Sequence, residues 1–324
     1  MTLPALLDEG ARFNAEYGAG LSNHLPMALV ALRRLGAGDA RLAAFAARYA
    51  QKLAPAPSAQ VWPAGDAWAG RLGERAAWPA YRSLFAEWLL HEGGESVLTQ
   101  VLPALMPGCG AAAFHGLIRV AYAVQAGHEG ELADALAYWA CRWLPLGQAP
   151  TRPQREADPR VLLGALQAAL PGWKSDKGLI FERMHEAAAL PAFGPVVAQL
   201  KVHAGTLRAL AHCAAGVYAR SGNFTALHLV TSAHALRVLL PFFDDADAAV
   251  GDYWRAFAAG FIASGAQPGP VRPALPWAVL AAAAVASDDD HLIKLVDSCR
   301  EEQRCYGSDD WRIAATRAVL QSRG

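Results

Sequence analysis

Four of the ten histidines stand in short apolar contexts: Asn23-His24-Leu25-Pro26, Phe114-His115-Gly116, Leu227-His228-Leu229 and His291-Leu292-Ile293-Lys294. Imidazole is the commonest protein ligand for catalytic transition metals, and it is expensive to set on an apolar helix face without a partner. Histidines dispersed in this way match a metal site gathered from several helices of one bundle. The sharpest local pair is His291 and Lys294, three apart after the acidic run Asp288-Asp289-Asp290, which reads as a helix N-cap region. At that spacing both side chains project from one face and can reach a common point. The alternative, an exposed first turn with a solvated lysine, is weakened by the apolar neighbours Leu292, Ile293, Leu295 and Val296.

His24 precedes Pro26, so it belongs to a connector just before a helix that Pro26 can begin; Asn23-His24 reads equally as a capping arrangement. His115 lies among Phe114, Leu117 and Ile118, with Arg119 one turn on and Tyr122 on the adjoining face. A hydrogen-bonded core histidine is the simpler reading of His115 taken alone. His228 and His234 share one helical stretch, but six residues turn an ideal helix by about 120° from the starting direction, so one ion does not take both. His228 is the ligand candidate because Leu227, Leu229 and Val230 bury its surroundings. His234, Arg119 and Tyr122 are the candidate catalytic residues, with His234 placed to orient a ligand or substrate. The other five histidines, at 91, 128, 185, 203 and 212, adjoin charged or turn residues or lack a partner pattern.

The elements that must position these side chains are helices. Apolar residues recur at helical spacing over 26–53, with Gly36-Ala37-Gly38-Asp39 as a turn that splits the stretch. The same periodicity predicts helices over 78–90, 111–125, 131–143, 161–169, 193–218, 225–240, 248–264, 275–286, 291–305 and 311–321. Alternation with period two is almost absent. The predicted fold is all-α, a large multi-helix bundle enclosing a buried metal site, with 1–324 as one domain because the candidate ligands fall on both sides of the proline-rich connection 148–153. No fixed period of self-similarity points to a solenoid.

With 324 residues, 54% of them hydrophobic and 18% charged, and a formal net charge of +0, the chain can bury a large core and is neither a disordered tail nor a basic nucleic-acid binder. Its first residues show no basic segment followed by an apolar run, and its longest apolar stretch, 274–286, is too short for a bilayer and reads as a buried helix. The five cysteines give neither zinc spacing nor a dense disulfide framework, so a cytoplasmic location is expected. Glycine-rich phosphate loops after a strand, Gly-x-Ser-x-Gly elbows, H-E-x-x-H and EF-hand loops are all missing, which leaves no visible built-in NADPH or flavin site and no common hydrolase pattern.

The phrases Asn23-His24-Leu25-Pro26-Met27-Ala28, Ala113-Phe114-His115-Gly116-Leu117-Ile118-Arg119, Leu136-Ala137-Tyr138-Trp139, Leu227-His228-Leu229-Val230-Thr231 and Asp290-His291-Leu292-Ile293-Lys294 resemble the questin oxidase-like family, and in this order they span most of the chain. That resemblance implies a helical oxygenase with a non-haem iron(II) centre held by four histidines and a carboxylated lysine, cleaving anthraquinone rings by Baeyer–Villiger-type chemistry with NADPH as reductant. Carried over by position, His24, His115, His228 and His291 supply the imidazoles and Lys294 the carbamate. A buried lysine with a depressed pKa reacts with carbon dioxide to present such an oxygen ligand, and five ligands leave one octahedral position open. The implied partners are dioxygen and a small aromatic, polyketide-like substrate, against which Trp62, Trp68, Tyr122, Tyr138, Trp139 and Trp277 are candidates for stacking. Two other function classes stay open on the residues alone: a metal-dependent hydrolase using the carboxylated lysine, and a metal-free helical interaction protein.

Overall fold

Several helices here are apolar on every side, and such helices belong in the interior of a large core rather than on its surface. The computed structural model, which describes residues 1–62, 67–147 and 154–322, places them there. Helix α2 (Leu25–Arg34) is buried continuously from Leu25 to Leu32, α6 (His115–Ala126) from His115 to Ala123, and α12 (Phe224–Leu239) from Thr225 to Leu236. Helix α15 (Asp290–Tyr306) buries Leu292 to Cys299. These four pack side by side in a closed ring, α2 on α6, α6 on α12, α12 on α15 and α15 on α2.

Side-chain partners show that the four run parallel. Tyr122, eight residues into α6, donates to Asp297, eight residues into α15, at 3.3 Å. Arg34, at the end of α2, meets the same Asp297 at 3.0 Å. Further along, Gln125 of α6 reaches His234 of α12 at 3.1 Å, and His234 reaches Glu302 of α15 at 2.7 Å. Parallel neighbours need long returns, and the outer helices supply them: α7 (Glu129–Arg142) packs on α6, α11 (Thr206–Ser221) on α12, and α16 (Asp310–Gln321) on α15 and α11. One contiguous apolar core runs through inner and outer layers.

Sixteen α-helices are described in all, with one two-stranded antiparallel hairpin, β1 (Glu16–Tyr17) and β2 (Leu21–Ser22). The all-α class expected from periodicity is therefore what the chain adopts. Differences are local. The stretch expected as one helix over 193–218 is interrupted, giving α10 (Phe193–Val197) and α11. Three helices lie outside the stretches expected as helical: α1 (Leu3–Gly10), α5 (Gly94–Leu105), which contains Pro103, and α9 (Ile180–Ala188). The apolar stretch read as a buried helix forms α14 (Trp277–Ala286), but only Leu280 and Ala284 are buried, and Val279 is 42% exposed. The connection 148–153 lies outside the described residues. No helix among the described residues is long and apolar enough to cross a membrane.

Candidate metal centre

The parallel ring brings four helix N-termini to one place, and each carries a histidine. His24 is the N-cap of α2, His115 the first residue of α6, His228 lies in the second turn of α12 and His291 is the second residue of α15. Their rings form a closed circuit. His24 stacks on His115 with centroids 4.5 Å apart, His115 lies 5.1 Å from His228, His228 5.6 Å from His291, and His291 4.7 Å from His24. One ring nitrogen from each of His24, His115 and His291 falls within 4.8 Å of the others, with His228 completing the circuit at slightly longer range.

Each imidazole is oriented through Nδ1. His24 and His291 both direct Nδ1 at the same carboxylate oxygen, Asp290 Oδ1, at 2.6 and 2.9 Å. His115 donates Nδ1 to the carbonyl of Ala112, and His228 donates to that of Phe224 at 2.9 Å. A carbonyl only accepts, so Nδ1 carries the proton and Nε2 keeps its lone pair. His115 Nε2 is buried with no hydrogen-bond partner among the described residues. Such an orphan acceptor is costly inside a protein unless something coordinates it. Burial, reinforced by neighbouring cationic groups, lowers the His24 pKa to about 3 and takes His115 and His228 well below 6.5, which leaves these rings in the neutral, ligating form. The donor set fits a transition-metal ion.

Lys294, one turn beyond His291, is 2% exposed. Burial brings its pKa down to about 8, so an appreciable share of the amine is neutral near physiological pH. Its Nζ lies 3.9 Å from Asp290 Oδ1, while Lys52 approaches the other oxygen of that carboxylate at 3.7 Å. Asp290 thus ties His24, His291 and Lys294 together. The sequence offered it only as one of three aspartates in a capping run. Asp289 does the capping, accepting from the backbone of His291 and Leu292 at 2.9 and 3.3 Å, and a helix start needs one such residue. The next aspartate, four before Lys294, was the available signal.

Backbone geometry at His115 departs from the predicted continuous helix over 111–125. Ala112, Ala113 and Phe114 have φ of 49°, 56° and 68°, three left-handed residues in succession without a glycine. Each costs about 1–2 kcal/mol relative to the right-handed form, so the surrounding packing has to hold them. The turn places the Ala112 carbonyl under His115 Nδ1. On the far side of α6, Gly116 lies so close to Trp139 of α7 that a Cβ there would stand 2.8 Å from the indole.

The histidines line the inner part of a cavity of ≈ 310 Å³, whose other walls include Tyr17 and Leu21 of the hairpin, Ala112, Ala113, Leu179, Phe181, Arg183 and Phe224. That volume lies at the lower end of small-molecule sites, about 300–1,000 Å³. Phe224 lies over the cluster, its ring 4.7 Å from His291 and 5.1 Å from His228. A larger depression of ≈ 450 Å³, walled by Arg160, His212, Cys213 and Arg220, contains none of the four clustered histidines.

The other candidates are elsewhere. His234 is six residues, about 9 Å of helix rise, beyond His228 and is held between Gln125 and Glu302. Arg119 is closed into a bidentate pair with Glu131 at 2.6 and 2.9 Å, and the Tyr122 hydroxyl faces Asp297 beneath Lys294. None of these three is among the residues that line the cavity. The aromatic candidates are likewise packing residues. Trp62 and Trp68 meet Tyr81 and Phe85 edge to face, Tyr138 shares a hydrogen bond with Ser22 at 2.7 Å, Trp139 packs against Gly116, and Trp277 bonds Gln303 at 2.5 Å. Tyr17, Phe181 and Phe224 supply the cavity's aromatic faces instead. Phe224 had a readable signal, since it stands four residues before His228 on one helix face.

No curated protein matches the chain. A family model does, the questin oxidase-like model, over residues 21–299, from the hairpin into α15 and across all four histidines and Lys294. The chain belongs to the questin oxidase-like family, and by that membership it is an oxidoreductase acting on a small molecule.

Proposed function

We propose that the protein is a non-haem iron oxygenase that inserts oxygen into a quinone- or anthraquinone-like ring beside a carbonyl. The observation that carries this is the set of four imidazoles, each held at Nδ1, lining an aromatic-walled cavity in a questin oxidase-like chain. His24, His115, His228 and His291 would hold the ion, with Lys294 as an oxygen ligand in its carbamate form. The neutral lysine amine adds to carbon dioxide and releases one proton, turning a group that can only donate into a carboxylate-like acceptor. Iron(II) held there would supply the one-electron chemistry that dioxygen needs to react with a closed-shell organic molecule.

The chain's own residues do the rest. Asp290 and the carbonyls of Ala112 and Phe224 fix the imidazole rings, so no reorientation is needed when substrate arrives. Leu21, Leu179, Ala112 and Ala113 exclude water, and Phe224, Phe181 and Tyr17 offer faces to a flat ring. As a monooxygenase the enzyme takes two electrons from NADPH, one oxygen atom entering the product and the other leaving as water. As a dioxygenase it places both atoms in the product.

The test is incubation of iron-loaded protein with a panel of hydroxylated quinones under labelled dioxygen, with and without NADPH. Label in a ring-expanded or ring-opened product supports the assignment, and the reductant requirement separates the two stoichiometries. Oxygen consumption no greater than that of the His228→Ala variant for every member of the panel overturns it.

A further inference from the structure

Among the residues lining the cavity, Arg183 of α9 is the one with a permanent charge. Unlike three arginines on the ring helices, it has no ion pair among the described residues. Arg34 is paired with Asp297, Arg119 with Glu131 and Arg237 with Glu302. Arg183 donates Nη2 to the Thr225 hydroxyl at 3.3 Å, and its buried Nε has no partner among the described residues. A guanidinium with no acid beside it, on the wall of a small, largely apolar cavity, is matched by an oxyanion.

The surrounding field has the same sign. Four helix N-termini converge on the histidines, each contributing roughly half a positive elementary charge at its end. Asp290 is already engaged by His24, His291, Lys294 and Lys52. Among the described residues no acidic side chain lines the cavity itself. For an organic ligand in the cavity, an anion is therefore favoured over a cation.

We propose that Arg183 binds the substrate as an anion, so that the molecule taken is an acidic hydroxyarene held as its phenolate, with the oxyanion on the Arg183 guanidinium and the ring against Phe224. This rests on the aromatic oxygenase assignment and narrows its substrate to acidic, ionised members. An O-alkylated or otherwise neutral analogue of the same shape loses the charge-assisted bond and leaves the guanidinium unpaired in the cavity. The phenolate charge also places electron density in the ring that is to be oxidised.

The experiment compares a hydroxynaphthoquinone, ionised at neutral pH, with its methyl ether, titrated into the protein and followed by the phenolate absorption band and tryptophan quenching. One charge-assisted hydrogen bond is worth about 10- to 100-fold in affinity. Wild type is expected to favour the phenolate by that factor. Arg183→Gln is expected to lose it for the phenolate and to leave the ether unchanged, while Arg183→Lys keeps the charge without the fork and falls between. In turnover the Gln variant raises KM more than it lowers kcat. Arg160→Gln, in the other depression, leaves both affinities as they are. Equal binding of phenolate and ether by wild type, unchanged phenolate affinity in Arg183→Gln, or binding of neither ligand overturns the proposal. Oxygen uptake tells the two ideas apart. Uptake with phenol and ether alike keeps the oxygenase and removes Arg183 from recognition, whereas the binding pattern without uptake of oxygen keeps Arg183 and removes the oxygenase.

Discussion

Gly116→Ala sets two effects of opposite sign against each other. Helix propensity alone says alanine stabilises an interior helical position by about 1 kcal/mol. At Gly116, second in α6, the new methyl would stand 2.8 Å from Trp139 Cβ and Cγ and 2.9 Å from Trp139 Cα. Trp139 is 0% exposed and has no room to swing aside, and since one of the three atoms is backbone, α7 itself must retreat. Overpacking of this kind costs about 1–3 kcal/mol, and backbone involvement puts it at the upper end. The net expectation is a loss of about 1–2 kcal/mol. The same substitution at Gly164 in α8 (Pro159–Ala169), where a Cβ meets nothing within 4 Å, leaves only the propensity gain. Urea unfolding of metal-free protein reads both variants, Gly116→Ala with a lower midpoint and Gly164→Ala with an equal or higher one at unchanged slope. Because His115 is the neighbouring residue, Gly116→Ala should also weaken metal retention. A Gly116→Ala protein as stable as wild type would refute the close approach of α6 and α7 that fixes His115.

Lys294→Arg keeps a cation but cannot form a carbamate, so it should lose metal or activity; full activity in that variant, measured as labelled-oxygen incorporation, would contradict the carbamate role. Arg119→Met leaves Glu131 buried without its partner and should cost about 3–5 kcal/mol in unfolding free energy, while ligand affinity in the fraction that stays folded is unchanged. Burial raises the Glu302 carboxyl, but the hydrogen bond from His234 and the charge of Arg237 outweigh it and hold the pKa below 4.5. A depressed carboxylate contributes stability above its unfolded pKa and loses it as pH falls through the folded value. Wild type should therefore exceed Glu302→Gln in unfolding free energy at neutral pH by a margin that closes in acid; a margin that grows in acid would show the sign to be wrong.

The helical class could be read from spacing because the inner helices α2, α6, α12 and α15 run for 10, 12, 16 and 17 residues. What periodicity could not give is which helices are inner. Helices α2, α6 and α12 are apolar all round, so they carry no face that names a neighbour, and their parallel arrangement depends on returns over tens of residues. The separation of His228 from His234 was readable, since a six-residue step is fixed by helix geometry. The places of Arg119 and Tyr122 were not, because spacing says that they share a helix with His115 but not that Glu131 and Asp297 claim them from other helices. Ala111-Ala112-Ala113-Phe114 is a run of good helix formers, yet tertiary packing drives three of these residues left-handed. Arg183 lies on α9, outside the stretches expected as helical, and its value comes from the absence of an acid beside it among the described residues, a property of three dimensions.

Iron-edge anomalous diffraction on crystals of iron-loaded protein tests the metal assignment most directly. One anomalous peak is predicted among His24, His115, His228 and His291, with density for a carboxylated Lys294 reaching it, and the peak should disappear in His115→Ala but persist in His128→Ala. A fully occupied peak elsewhere, or an undiminished one in a folded His115→Ala protein, would contradict the four-histidine centre.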